Sequence, residues 1–206
     1  MAATASPYGL KAVNELGGLP YAGSTRSFLI DPAGYNTNIY NGTIVYVNSS
    51  GYLNIVTGTG ADGTTNSFPG SGTLTGAVGV FVGCTYINAQ GQVIYAQYYP
   101  ANTTGVVSAY VIDDDRAVFQ VQANGTVAQS ALGDNVYLAN AQSTSTGSTT
   151  TGNSNIAVSS TVITTTAAFR IVGFVNSTTS QVGDAYTDLL VKFNPGYHSY
   201  SNAVGV

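Results

Sequence analysis

The sequence predicts a mainly β fold, namely an antiparallel barrel or sandwich of about ten short strands with long Gly/Ser/Thr loops and extended terminal arms. Residues that favour strands are frequent, and tyrosine alone accounts for 15 of the 206 residues. Apolar runs of strand length recur along the chain, and turn residues such as Gly, Asn and Ser separate them. These observations indicate a β protein with one core, since this length suits a single domain.

Three parts of the chain differ in pattern. Residues 1–25 contain Pro7, Gly17, Gly18 and Pro20 without apolar periodicity, which predicts an extended N-terminal arm. Residues 26–193 carry the strand patterns and form the predicted single β domain. Residues 194–206 form a predicted C-terminal tail, and its apolar end suggests that it docks on a neighbouring subunit.

The predicted strands follow one another with short turns or glycine-rich loops between them. They are residues 26–30, 43–47, 52–56, 78–87, 92–99, 106–112, 117–123, 134–139, 167–175 and 188–193, with a weaker pattern at 157–164. Residues 43–47 and 52–56 flank a turn at 48–51 and predict a hairpin. Residues 78–87 are apolar on both faces, as in a central strand. Residues 57–75 and 143–155 are predicted surface loops.

Charge is unusually scarce, because Asp, Glu, Lys and Arg make up 7% of the chain and the net charge is −4. Uncharged polar groups need only matched hydrogen bonds when they are buried, whereas an unpaired ion costs several kcal/mol, roughly. The composition therefore favours a surface that lies against other protein. The basic residues are dispersed, which argues against nucleic-acid binding. They are Lys11, Arg26, Arg116, Arg170 and Lys192.

Few residues could support catalysis or metal binding, and we expect no enzyme activity, no cofactor and no metal site. Cys84 is predicted to be a buried thiol, and His198 is expected to be exposed and inert. Glycoside cleavage needs two converging carboxylates, but the turn signals beside Asp134, Asp184 and Asp188 predict local hydrogen bonding instead.

An acidic run lies at residues 113–115. It lacks the glycine and distal glutamate of a calcium loop, so the sequence favours a solvated hairpin tip paired with Arg116. The same tip could meet a basic patch on a partner. Tyrosines offer large contact areas with one hydrogen bond, although about half should serve the core. The candidate partner contacts are Tyr8, Tyr21, Tyr98, Tyr99, Asp113, Asp114, Asp115, Tyr197 and Tyr200.

The beginning of the chain has no pattern of a secretory signal, and the longest apolar run, at 77–84, is far shorter than the ~20 residues that span a bilayer. The sequence therefore predicts no contact with a membrane and synthesis in a cytoplasm.

The order of several segments carries a resemblance. These segments are STRSFLI (24–30), GYNTNIYNGTIVY (34–46), AVGVFVGCTYI (77–87), YYPA (98–101), AYVIDD (109–114), VFQV (118–121), GSTTTGNS (147–154) and FRIVGF (169–174). Together they resemble small virion proteins of marine and other environmental tailed bacteriophages, which are often interpreted as head decoration, or cement, proteins. The resemblance extends from residue 24 to residue 193 and contains no catalytic motif.

The resemblance implies a non-enzymatic protein on the outer surface of an expanded capsid, made in the host cytoplasm. Its partners would be the major capsid protein and further copies of itself, as homotrimers at local threefold axes. Two alternatives remain open. One is another virion surface component, such as a head fibre base or tail protein, that binds host glycans. The other, weaker because carboxylates are few, is a glycan hydrolase.

Overall fold

The computed structural model describes residues 4–61 and 76–202, and its regular structure is almost entirely β. The strands are β1 (Lys11–Glu15), β2 (Arg26–Ile30), β3 (Ile44–Val47), β4 (Leu53–Ile55), β5 (Gly79–Ile87), β6 (Val93–Ala96), β7 (Val107–Ile112), β8 (Ala117–Gln122), β9 (Asn135–Val136), β10 (Phe169–Phe174) and β11 (Asp188–Phe193). Two short 3₁₀ helices, Gln129–Ala131 and Ser199–Ser201, complete the elements of the described residues.

The strands form two antiparallel sheets that remain open and face one another as a sandwich. The five-stranded sheet has the order β1-β8-β11-β10-β9. The six-stranded sheet has the order β2-β7-β5-β3-β4, and β6 pairs with the second half of β5. The predicted mainly β fold is therefore confirmed, and of its two predicted architectures the structure has the sandwich.

The inter-sheet core is aromatic at its centre. Phe193 of β11 contacts Phe169 at a ring-centroid distance of 4.9 Å and Phe119 at 5.9 Å. From the six-stranded sheet, Val80 and Ile112 join the same buried cluster. A second cluster, which includes Phe81 and Tyr99, lies on the other face of the six-stranded sheet. The six-stranded sheet is thus covered on both faces over part of its length, which explains why residues 78–84 are apolar on both faces.

The expected N-terminal arm is wrong for residues 10–15. Leu10 is 1% exposed within the inter-sheet cluster, and β1 pairs with β8 in the register Lys11↔Gln120. Ser6 N also donates to the side chain of Gln122 at 2.8 Å. The segment is an edge strand, and its prolines and glycines lie outside the residues that pair with β8, so they do not prevent that ladder. Pro20 forms an isolated bridge with Asn14.

The predicted C-terminal tail is packed against its own chain over its first half, rather than against a neighbour. Tyr197 and His198 are 3% and 1% exposed, so the prediction of an exposed His198 is incorrect. Ala77 N donates to Tyr197 O, and Ser199 N donates to Ala77 O, both at 2.8 Å. The tail is therefore paired with the segment that leads into β5. Residues 203–206, where docking on a neighbour was expected, lie outside the described residues.

Other predicted elements changed in length. Residues 157–164 form only isolated bridges at Val158 and Ile163, and the strand expected at 134–139 is reduced to β9. The segment at 92–99 ends as a strand at Ala96. Of the predicted loop at 57–75, residues 62–75 lie outside the described residues. The loop at 143–155 contains a bridge between Gly147 and Ser154 but no strand.

Candidate functional site

One face of the six-stranded sheet exposes an apolar patch, which we call the apolar face. It consists of five residues with high exposure: Leu29 49%, Ile87 59%, Val93 55%, Tyr95 80% and Val106 71%. Isolated apolar residues on a surface are ordinary, whereas a contiguous apolar patch is typical of a contact site.

The strand register brings these residues together. Ile87 pairs with Val93 and Thr85 with Tyr95, and residues directly opposite in antiparallel strands share a face. Ser108 pairs with both Thr85 and Leu29, which extends the row across β7 to β2. The described strand residues interspersed in this row are uncharged.

The apolar face continues the side of the sheet that packs in the inter-sheet core. Side chains alternate along a strand, so Ser108 and Tyr110 of β7 share a face with Ile112, which belongs to the inter-sheet cluster. Tyr110 and Thr85 lie within hydrogen-bond distance, at 2.9 Å between their hydroxyl oxygens. The apolar face is therefore the part of this sheet surface that the five-stranded sheet leaves uncovered.

A cleft of about 560 Å³ opens beside β1, the edge strand of the five-stranded sheet. Leu10, Ala12, Val82 and Ile112 contribute its apolar lining, and Lys11, four side-chain amides and two tyrosines contribute the rest. Tyr8 and Tyr21, both half-buried, are the two tyrosines. Two of the sequence-predicted contact residues thus share one cavity.

Both cleft tyrosines are held through their hydroxyls. Tyr8 donates to Asp188 Oδ1 at 3.0 Å, and burial, followed by the charge of Asp188, raises the pKa of Tyr8 well above its ordinary value. Tyr21 donates to the carbonyl oxygen of Ser24. Burial, followed by the charges of Asp114, Asp113 and Glu15, raises the pKa of Tyr21 to about 12. Both rings therefore stay neutral and fixed at neutral pH.

The remaining predicted tyrosines have separate places. Tyr99 and Tyr197 are 0% and 3% exposed, so their rings serve the core of this chain rather than its surface. Tyr98 is half-buried and stacks on Tyr40 at a centroid distance of 5.7 Å. Sequence alone could not separate these roles, because core and surface tyrosines both occur in strand-like patterns.

The acidic tip is paired differently from the prediction. Asp113 forms an ion pair with Arg26 Nε at 2.9 Å, not with Arg116, and Tyr200 donates to the same carboxylate at 2.7 Å. Burial, followed by the hydrogen bond to Asp113 and its charge, raises the pKa of Tyr200 to about 12. Asp114 instead accepts from the backbone N of Arg116 at 2.8 Å. The acidic tip between β7 and β8 is therefore linked to β2 through Arg26 and to the C-terminal segment through Tyr200.

Of the carboxylates Asp134, Asp184 and Asp188, Asp184 has the local hydrogen bond that its turn signal predicts, whereas the partner of Asp188 is 180 residues away in the sequence. Asp184 accepts from Gln181 N at 2.8 Å, and Asp188 accepts from Tyr8. Within the described ranges no group of three or more His, Cys, Asp or Glu residues could hold a metal ion. Cys84 is buried as predicted, and burial raises the pKa of its thiol to about 12.

The comparisons with known proteins add no relative. No family model matches the chain, and neither a curated protein nor a solved structure matches it. None of the helices among residues 4–61 and 76–202 is long and apolar enough to cross a membrane.

Sequence reasoning missed the apolar face. The sequence held one signal. Strand β6 has apolar side chains on both of its faces, although it pairs with β5 alone; they are Val93, Ile94, Tyr95 and Ala96. A strand covered on one side only should alternate with polar residues. The cleft amides gave no such signal, because they come from loops and strands that are distant in sequence.

Proposed function

We propose that this chain is a virion structural protein, a capsid decoration protein that binds the outside of the major capsid protein lattice and stabilises the expanded head. The observation that carries the proposal is the apolar face, five exposed apolar side chains in register on an uncharged stretch of sheet. The sequence resemblance to bacteriophage head proteins supports the choice of partner.

Contact through this face has a physical basis. Covering the apolar face removes apolar surface from water, and this burial is favourable by about 25 cal/mol for each Å². Thr85, Ser108 and Tyr110 lie among the apolar side chains and can be covered without the cost of burying an ion. A surface of this kind suits a protein that stays bound to other protein, such as the capsid lattice.

A homotrimer at a local threefold axis would multiply a modest single-site affinity. Three linked copies raise the effective concentration of the second and third contacts, so avidity exceeds the affinity of one copy. The trimer would sit on the outer virion surface after synthesis and assembly in the host cytoplasm, and it would clamp neighbouring capsid subunits.

The test is co-sedimentation with expanded heads that lack the protein and, in parallel, with unexpanded procapsids. We expect saturable binding to expanded heads, with a copy number in multiples of three per threefold site. In the double variant Tyr95→Lys/Val106→Lys, two charges would have to be desolvated on docking, and we expect binding to be at least about tenfold weaker.

A matched control carries the same two charges elsewhere. Thr126→Lys/Gln129→Lys places them on exposed residues outside the apolar face, and we expect unchanged binding. Absence of binding to expanded heads would refute the decoration role. Equal binding by the two double variants would refute the apolar face as the contact surface.

A further inference from the structure

We propose that the cleft beside β1 binds a short oligosaccharide, which Gln97 and Asn153 recognise through hydrogen bonds and Tyr8 and Tyr21 through their rings. This inference does not depend on capsid binding, because none of the five residues of the apolar face lines the cleft. The volume of about 560 Å³ lies within the range of small-ligand sites, which is ~300–1,000 Å³.

The amide pair supplies the hydrogen-bonding pattern. Gln97 Nε2 donates to Asn153 Oδ1 at 2.6 Å, and both residues are exposed at the cleft. This bond leaves Gln97 Oε1 as an acceptor and Asn153 Nδ2 as a donor. Two adjacent sugar hydroxyls offer one donor and one acceptor side by side, which matches the pair. An apolar ligand would cover Gln97 Oε1 and Asn153 Nδ2 without offering either a hydrogen-bond partner, which costs free energy.

The backbone holds this pair in place before any ligand arrives. Asn41 N donates to Gly152 O at 2.9 Å, and Ser154 N donates to Asn41 O at 2.8 Å, so the loop around Asn153 is tied to the sandwich. Gly152 has a φ of +73°, and a Cβ there would lie 3.0 Å from the Cβ of Gln97. Glycine thus permits the close approach of Gln97, and a fixed site loses less entropy on binding.

The two tyrosines contribute ring surface. Their hydroxyls are engaged by Asp188 and by the carbonyl of Ser24, so the rings are oriented by contacts outside the ligand. Aromatic rings pack well on the C–H face of a sugar ring, which is apolar although its edge is polar. Leu10 and Val82 extend the apolar part of the lining.

The charges of the lining define the ligand further. Lys11 is the one charged side chain that lines the cleft among the described residues, and the carboxylate of Asp188 lies directly behind Tyr8, so the opposite charges balance and a neutral sugar fits best. Hydrolysis of a glycoside needs two carboxylates beside the scissile bond. The described lining includes neither Asp nor Glu, and we therefore propose binding without cleavage.

The experiment uses an array of neutral and uronic-acid-containing bacterial surface oligosaccharides, followed by calorimetric titration of the tightest binder. We expect the double variant Gln97→Leu/Asn153→Leu to bind at least about tenfold more weakly, since both hydrogen bonds to the sugar are lost. Gln129→Leu, an exposed amide outside the cleft, is the control and should bind like the parent.

A second pair of variants separates ring surface from hydroxyl. Tyr21→Phe keeps the ring but loses the hydrogen bond to Ser24, so it should retain most of the binding. Tyr21→Ala removes the ring and should weaken binding several-fold. Thermal unfolding of each variant checks that it is folded. The proposal is overturned if no oligosaccharide binds, or if the Gln97/Asn153 double variant binds like the parent. A third outcome would also overturn it, namely that the Gln97/Asn153 double variant no longer binds expanded heads while added oligosaccharide does not change head binding by the parent. The cleft would then be a contact with capsid protein rather than a sugar site.

Discussion

One surface of the six-stranded sheet has a half that the five-stranded sheet covers and a half that remains exposed. In the half that faces the five-stranded sheet, Val80 and Ile112 are 0% and 6% exposed. In the other half, Ile87 and Tyr95 are 59% and 80% exposed, although all four residues belong to paired strands. The halves differ little in side-chain chemistry and strongly in whether another layer covers them.

This difference separates residues that hold the fold together from residues that are available to a partner. Burial is what converts an apolar side chain into folding free energy, at about 1.5–3 kcal/mol for a fully buried large aliphatic residue. Ile112 provides this stabilisation within the chain, whereas Ile87 would provide it only after docking. The comparison can be tested directly because both halves contain an isoleucine.

The largest expected effect is the contrast between Ile112→Ala and Ile87→Ala. Ile112→Ala removes a buried side chain between the sheets, at the inner wall of the cleft, and should lower the free energy of unfolding by about 2–5 kcal/mol. Ile87→Ala removes an exposed side chain and should change it by about 0.5 kcal/mol or less. Denaturant titration of both variants measures the difference. Equal destabilisation would mean that the two halves are covered alike.

The second prediction concerns how the covered half is closed at its edge. Gln142 is 2% exposed, and its side-chain oxygen accepts from Ile44 N at 2.7 Å while its nitrogen donates to Ile44 O at 2.9 Å and Val56 O at 2.7 Å. Gln142→Leu leaves these buried backbone groups without that partner, and we expect a loss of about 1–3 kcal/mol in unfolding free energy.

Its matched control is Gln97→Leu, in which leucine replaces an exposed glutamine instead of a buried one. This variant should change the unfolding free energy by about 0.5 kcal/mol or less. If Gln142→Leu were as stable as Gln97→Leu, water would have to replace the lost hydrogen bonds, and the edge would be open rather than sealed.

The strands could be predicted where apolar periodicity was strong. Residues 26–30 and 188–193 were predicted with the bounds that the structure has for β2 and β11. The edge strand β1 was missed because Lys11 and Asn14 interrupt its apolar pattern and its partner β8 lies about a hundred residues away. Long-range pairing leaves no local signal in a sequence.

The candidate surfaces were harder to predict, for the same reason. The pattern at 92–96 indicates apolar residues on both alternations, but only the position of the second sheet decides which of them stay exposed. Likewise Tyr197 and His198 are buried because Ala77 pairs with the tail, a contact that spans most of the chain. The composition shows that charged residues are scarce, but it does not show where on the surface the uncharged residues cluster.

The smallest expected effect is a pH dependence that belongs to the covered half. His198 is 1% exposed, its ring contacts Phe193 at 5.5 Å between centroids, and its Nδ1 accepts from Tyr200 N at 3.3 Å. Burial lowers the pKa of His198, although the charges of the acidic tip at residues 113–115 partly oppose this effect. The folded state therefore favours the neutral imidazole over the charged form.

Since the folded pKa lies below the unfolded value of about 6.5, the stabilisation is complete above that pH. It is lost as the pH falls through about 6.5 towards the lower folded pKa, with a slope of at most about 1.4 kcal/mol per pH unit. His198 is the one histidine of the chain, so His198→Phe should flatten the slope of unfolding free energy between pH 7.5 and 5.5. An unchanged slope would contradict a neutral buried imidazole. Because none of the five residues of the apolar face is a histidine or a carboxylate, its docking should persist at pH values where the covered half has begun to lose stability.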